Sequence, residues 1–423
     1  MQSPSRLKDR IFYGWVIVIT VFVISTIISG IRTSFGVFFK SLESEFNLTR
    51  AATSAILSTN MVLGCVFDVL GGWACDRYGP RMVILLMGLI TGISLLLTSQ
   101  ANSAWQLFIT YSLLLAMGTM PIFTVTVSTV SRWFDKKRGL VVGISSAGGG
   151  LGMVIMAPFA TYLISNFGWR WAYIIIGVIA WVIVIPLSRL LKRSPDEIGL
   201  LPDGAKLDSR ERQVPKPQTE ESTPPAALTL SQASRTRSFW LLMFTHFFFA
   251  TNHFLVITHL VPHVTDMGIS AGQAATLLSL IGGVTIASMA IMGSVSDRIG
   301  RKTAVIVCSL VQTGSMVWLV WVQDLGMLYL FALVYGLTRG IPAIFGALIG
   351  DTFGLRQIGT LVGVLGIGIG IGAAFGPAIG GLIFDVSNSY SMAFIIGATA
   401  MLVVALLITL VRRETGRATS DIA

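Results

Sequence analysis

A chain of 423 residues, 53% hydrophobic and only 12% charged, lacks the charged surface that a soluble globule of this size requires. Its mean hydropathy of +0.77 is concentrated in apolar stretches, each about 20 residues long and able to cross a ~30 Å hydrocarbon core; this is an all-α, polytopic membrane protein. The net charge of +10 does not point to nucleic acid, because the basic residues gather between the spans, and three scattered cysteines without CxxC spacing support neither a disulfide framework nor a metal site.

Arg6, Lys8 and Arg10 precede an apolar run from Phe12 to Phe39. That run is too long for a signal-peptide core, so it is read as a retained first helix. Twelve spans are predicted, at 12–39, 51–73, 82–99, 105–131, 138–163, 169–190, 237–260, 272–295, 303–322, 327–350, 358–385 and 389–411. Residues 191–236 separate them six and six, and the stretch KPQTEESTPPAA within is polar, Pro-rich and unable to bury a core. The expected organisation is an N-terminal half (1–190), a cytoplasmic linker loop (191–236) and a C-terminal half (237–423). Of the Lys and Arg residues in the tails and in or flanking the loops, 25 fall on one side, against Lys40, Arg50 and Arg170 on the other. The positive-inside rule then places both termini in the cytoplasm. A plasma membrane, specifically a bacterial inner membrane, is expected.

Two charged turns repeat. GWACDRYGPR (Gly72–Arg81) and GSVSDRIGRK (Gly293–Lys302) are offset by 221 residues, and the same offset lays FNLTRAATSAIL (Phe46–Leu57) over MGISAGQAATLL (Met267–Leu278) without a gap. Thr49 and Ser270 are predicted helix N-caps, Ser270 forming a capping box with Gln273. Pro121 in helix 4 matches Pro342 in helix 10. Two six-helix halves of common plan are the architecture of a transporter whose site lies between them.

The repeated turn resembles the signature loop of the major facilitator superfamily, G-x-x-x-D-R-x-G-R-[KR], which that fold places between helices 2 and 3 and again between helices 8 and 9. The resemblance covers the whole chain. It implies that Asp76, Arg77, Arg81, Asp297, Arg298 and Lys302 form a cytoplasmic latch that holds the halves together while the transporter faces outward. A carboxylate at a helix end can indeed accept hydrogen bonds from an arginine or from helix N-terminal amides; the other reading is a tight glycine turn whose basic residues enforce topology. Within the superfamily, FYGWVIV, RWFDKKRGLVVGISSAGGG and THLVPHVTDMGIS resemble the monocarboxylate transporter group and its bacterial branch, related to oxalate/formate antiporters. Two features of the animal members are missing: Tyr13 stands where they carry an acid, and VTIASMAIMG in helix 8 lacks their Asp/Arg pair.

Ionisable residues within the spans are few, and each costs at least ~2.5–3.5 kcal/mol at a helix centre. Arg339 lies mid-span in YGLTRGIPAIFG, one turn after Tyr335 on the same face. Its guanidinium suits a small organic anion held by two parallel hydrogen bonds; alternatively it ties backbone carbonyls loosened around Pro342. Arg32 shares a polar face of helix 1 with Ser25 and Ser29, and its pseudo-symmetric counterpart is His253 on helix 7, which shares a face with His246. His253 is a candidate for anion binding or for carrying a coupled proton, or else a packing residue. Asn252, adjacent, points elsewhere on a regular helix. Asp68 in VFDVLGG is the one carboxylate well inside a span, read as a proton carrier or as the counter-charge of an arginine. Asp351, which ends helix 10, reads as a cytoplasmic contact. Gly368, Gly372, Gly376 and Gly380, spaced by four, form a stripe for close helix contact.

No catalytic constellation appears, so the chain is not read as an enzyme, and neither cofactor nor metal is implied. Basic side chains inside the membrane favour an anionic passenger. The expected function is secondary transport of a small monocarboxylate of the lactate or pyruvate type with a proton, by a protein working as a monomer in the lipid bilayer. An anion exchanger of the oxalate–formate kind is the first alternative, although the basic residues which that resemblance implies in helices 8 and 11 are absent. A non-transporting membrane sensor on the same fold is the second.

Overall fold

The computed structural model of the chain describes residues 12–134, 138–201, 203, 228–354 and 358–414. Among the described residues, eleven helical stretches are long and apolar enough to cross a membrane, and one of these contains two spans. In order they are α1 (Tyr13–Glu45), α2 (Arg50–Tyr78), α3 (Pro80–Ser99), α4 (Ala104–Ser131), α5 and α6 (138–167 and 169–188), α7 (Arg237–Asp266), α8 (Ala271–Ile299), α9 (Arg301–Leu319), α10 (Leu325–Phe353), α11 (Ile358–Ser387) and α12 (Ser391–Leu410). Between α5 and α6 the helix breaks at Gly168, where φ is 79°. Contacts show the reversal there: Arg170 donates to the Ser99 and Ala101 carbonyls at one end of the bundle, whereas Trp133, before α5, donates to Lys192, after α6, at the other. Twelve spans in two sets of six result, as predicted.

The helices are longer than the apolar runs. α2 and α8 extend to Tyr78 and Ile299, carrying the charged pairs Asp76-Arg77 and Asp297-Arg298 in their last turns. The predicted turn residues are therefore mostly helical, because nothing breaks the helix before Gly79 and Gly300. These two glycines, at φ of 84° and 90°, make the turn alone, and the first is followed by Pro80 at the first position of α3. Such backbone is strained for any residue with a Cβ. Gly79→Ala is expected to cost about 1–3 kcal/mol, read as a lowered unfolding midpoint in detergent. Gly346→Ala, inside α10 with open space around it, is the control and should be neutral or slightly stabilising.

The caps are where the repeat placed them. Thr49 accepts the Ala52 amide at 3.1 Å, and Ser270 accepts the Gln273 amide at 3.3 Å. The capping box is only half formed, since the Gln273 side chain accepts from the Ser270 hydroxyl and not from its backbone amide. In the linker, a true box closes on the short helix Leu230–Ala233; KPQTEESTPPAA lies outside the described residues.

Two of the sequence motifs become one feature. Phe12, Tyr13 and Trp15 at the start of α1 pack on Trp133 and Phe134 before α5, with ring centroids 5.3–6.1 Å apart, and the Tyr13 hydroxyl donates to the Leu190 carbonyl at 2.8 Å. This aromatic knot fastens α1, α5 and α6 together at the cytoplasmic end. The glycine stripe of α11 lies against the α7 backbone along most of its length: Gly368, Gly372 and Gly376 each face a main-chain carbonyl of α7, and Gly380 faces the His259 ring.

The two sets of six meet along α2 with α11 and α5 with α8. Gly381 sits on the Arg50 backbone, Gly150 on Ile286, and Ser279 donates to the Val154 carbonyl at 2.8 Å. At the outer end α1 also touches α7, Gly36 against the Ile257 carbonyl.

Candidate functional site

A cavity of about 310 Å³ lies between the two sets of helices. Its wall includes Ser25, Ser29, Arg32 and Thr126 from the first six and His253, Thr258, Thr285 and Arg339 from the last six. The lining residues include two arginines and one histidine but no aspartate or glutamate.

Each arginine sits where its helix is interrupted. Arg32 is in the last turn of the stretch Tyr13–Thr33, before α1 resumes at Phe35. Arg339 is the centre of a 3-10 turn, Thr338–Gly340, between the two α-helical parts of α10. Such breaks free backbone carbonyls, but neighbouring hydroxyls take them. Ser34 donates to Ile31 O, Thr33 to Ser29 O, Thr338 to Tyr335 O and Ser288 to Leu337 O. The Arg339 Nε and Nη1 and the Arg32 Nε are buried without a hydrogen-bond partner, and between described residues neither guanidinium has an ion pair within 4.0 Å. At the α10 break, Thr338 and Ser288 thus hold the Tyr335 and Leu337 carbonyls.

His253 lines the same cavity with its Nδ1 unpaired, so the pseudo-symmetric pair Arg32 and His253 does meet there. His246 does not: its ring packs on Phe345, and Nδ1 bonds the Leu242 carbonyl at 2.7 Å. Tyr335 is fully buried behind the wall, its hydroxyl beside the Arg339 guanidinium and 3.4 Å from the Asn252 amide, which also reaches Gln312 at 3.4 Å. It supports the arginine from behind and does not itself line the cavity. Asn252, set aside in the sequence because it points away from His253, points instead into this supporting cluster. The buried amides of Asn252 and Gln312 were the signal, being polar groups in otherwise apolar helices. Asp68 stands off the lining, half-buried, with Thr124 and Arg32 as polar neighbours and its Oδ1 unpaired.

The outer end is closed by a cluster that the sequence reading counted only as an outside charge. The Arg50 guanidinium spans Asp266 at 2.6 and 3.0 Å, Glu43 at 3.2 Å and the Tyr390 hydroxyl at 2.8 Å, and lies 3.6 Å over the Phe384 ring. Lys40 adds a second contact to Asp266 at 2.6 Å. Asp385 accepts the Arg50 and Ala51 amides, both at 2.8 Å, at the N-terminus of α2. Lys40, Glu43 and Arg50 belong to the first six helices, and the other polar partners to the last six or the turn before α12.

On the cytoplasmic side the signature residues bond within their own set of six. Asp76 pairs with Arg132 at 2.5 Å, and Arg301 with Asp351 at 2.5 Å and Asp297 at 3.7 Å. Arg77 lies over Trp73 and Tyr78, Lys302 donates to the Val411 carbonyl, and Arg81 and Arg298 are exposed. Between described residues, no ion pair joins the two sets there. Between described residues, ion pairs thus join the two sets at the Arg50 end and not at the signature-turn end.

Twelve helices among the described residues, in two matched sets that both line the cavity, can be compared with known proteins. Residues 21–292 and 261–422 match the Major Facilitator Superfamily. The chain belongs to that superfamily. Its fold resembles a D-xylose–proton symporter, with a TM-score of 0.74 at 14% identity covering 96% of this chain and 99% of that one. It also resembles a bacterial homologue of the human lysosomal transporter Spinster in an inward-facing, unoccupied conformation, with a TM-score of 0.71 at 16% identity covering 94% and 95%. Among curated proteins it is similar to monocarboxylate transporter 12 of Xenopus laevis, 25% identical over 95% of this chain and 89% of that protein. Similarity to monocarboxylate transporter 13 of Bos taurus is 27% over 92% and 87%, and to human monocarboxylate transporter 11 it is 25% over 92% and 81%. This facilitator is a secondary transporter of the bilayer and not an enzyme.

Proposed function

We propose that the chain carries a small monocarboxylate of the lactate or pyruvate type, together with a proton, by alternating access across a plasma membrane, a bacterial inner membrane, as a monomer. The observation that carries this reading is the cavity wall itself: Arg32 and Arg339, each with an unpaired donor, in a chamber without a carboxylate. A buried guanidinium without an ion pair is costly, and although Asp68 lies within electrostatic reach of Arg32, an incoming carboxylate supplies both a paired charge and the acceptors. Tyr335, proposed from the sequence as a binding residue, is assigned to holding Arg339. His253, on the wall with a free ring nitrogen, is the first proton candidate and Asp68 the second. The signature residues Asp76, Arg77, Arg81, Asp297, Arg298 and Lys302 are the latch of the opposite, outward-facing state. The similarity to proteins named monocarboxylate transporters supports the substrate class.

Purified protein in liposomes tests this. An acid-outside pH gradient is expected to drive transient accumulation of labelled lactate or pyruvate. Uptake that ignores the gradient but requires internal anion would replace symport by exchange, and binding without flux would replace transport by sensing.

A further inference from the structure

The third sequence motif, Thr258–Ser270, contributes nothing but Thr258 to the cavity wall, yet it contains two histidines beside the outer lock. His259 is fully buried and touches both sets of helices. Its Nε2 is 2.9 Å from the Pro377 carbonyl of α11 and 3.4 Å from the Ser54 hydroxyl of α2; its Nδ1 is 3.2 Å from the Tyr390 hydroxyl; its ring lies edge-on to Phe39 of α1.

Donor and acceptor roles then follow from what each group can do. A carbonyl only accepts, so Nε2 carries a hydrogen. Arg50 only donates, so the Tyr390 oxygen accepts from it at 2.8 Å and has its own hydrogen to give. The Nδ1 atom is the acceptor within reach. The chain Arg50 to Tyr390 to His259 to Pro377 is complete only when His259 is neutral. A proton on Nδ1 reverses the Tyr390 contact, strands the Tyr390 hydrogen in a buried site and adds positive charge close to Arg50. The other charged or titratable groups facing this site are Lys40 and Glu43 from α1, Asp385 from α11, and His263 and Asp266 from the same helix. The carboxylates among them are taken by the Arg50 side chain, by Lys40 and by the start of α2.

We propose that His259 is a proton-binding site governing the outer end of the transporter: neutral, it completes the lock; protonated by water on the outer side, it releases it. By linkage, a group that binds a proton better in the open state drives opening as the proton concentration rises. Stability of the closed end is therefore present above the histidine range and lost as external pH falls through it. On reclosing, Nδ1 returns the proton to the outer water, so this proton is a ligand of the open state and not cargo. The inference concerns the gate of the proposed proton-coupled carrier, but its test needs no substrate and stands apart from that reading.

The test is an inter-label distance across the outer face. Asn102 and Gln323 are exposed, follow α3 and α9, and are related by the 221-residue repeat. With Cys65, Cys75 and Cys308 replaced by serine, spin labels at Asn102→Cys and Gln323→Cys report opening in lipid nanodiscs. The open-to-closed ratio is expected to rise roughly tenfold between about pH 7.5 and pH 5.5. His259→Gln, which keeps a neutral donor and acceptor, should remain closed and flat across this range. Tyr390→Phe should be partly open at the upper pH and respond weakly. An unchanged pH response in His259→Gln, or in Tyr390→Phe should the first variant fail to fold, overturns the proposal, as does a wild type that shows no response.

Discussion

Replacing Arg339 by alanine is expected to lower carboxylate uptake at subsaturating concentration by about 100-fold or more, with the protein still folded. Two charge-assisted hydrogen bonds, each ~1.5–3 kcal/mol, are removed together with the charge that balances the passenger. Removing the guanidinium also relieves a buried group without partners for its Nε and Nη1, so stability should not fall in step with transport. Arg339→Lys retains charge but not the planar fork, and should restore only a minor part of uptake. The measurement is labelled-lactate uptake into liposomes alongside the detergent unfolding midpoint. Normal uptake by the alanine variant would remove the anion site from this cavity and leave the fold untouched.

Arg50→Ala should act in the opposite sense, on conformation and not on recognition. The side chain makes three hydrogen bonds to Asp266 and Tyr390 across the outer seam and a fourth to Glu43 on its own side. Its loss leaves Asp266 with Lys40 alone. The closed-outside state then loses about 1.5–3 kcal/mol, which is a ~10- to 150-fold shift of population toward outside-open. A cysteine at Thr33, on the cavity wall, reports this: at fixed pH, an impermeant thiol reagent added outside should label Arg50→Ala faster than wild type by that order. Equal labelling would mean that the seam is held by helix packing and not by the Arg50 cluster.

Composition and periodicity made the topology legible. Apolar runs of span length, the charge asymmetry and the 221-residue repeat are one-dimensional signals, and the twelve spans, the matched caps Thr49 and Ser270 and the glycine turns follow from them. Helix ends were less legible, because hydropathy stops at the membrane boundary while α1 continues through Lys40 and Glu43 to Glu45. The charges found there are partners in the outer lock.

What the sequence by itself determined is which residues are costly in a membrane: Arg32, Arg339, His253 and Asp68 stand out because hydrocarbon penalises each wherever it lies. It could not determine what surrounds them. Only the tertiary structure decided that Arg32, His253 and Arg339 share one wall while Asp68 stands off it, that Tyr335 and Asn252 stand behind Arg339, and that Arg50 is the centre of the outer closure. The physical reason is that partners separated by 340 residues, as Arg50 and Tyr390 are, leave no local pattern. Their hydrogen bonds depend on how two six-helix sets meet, and that meeting is set by packing along α2, α5, α8 and α11.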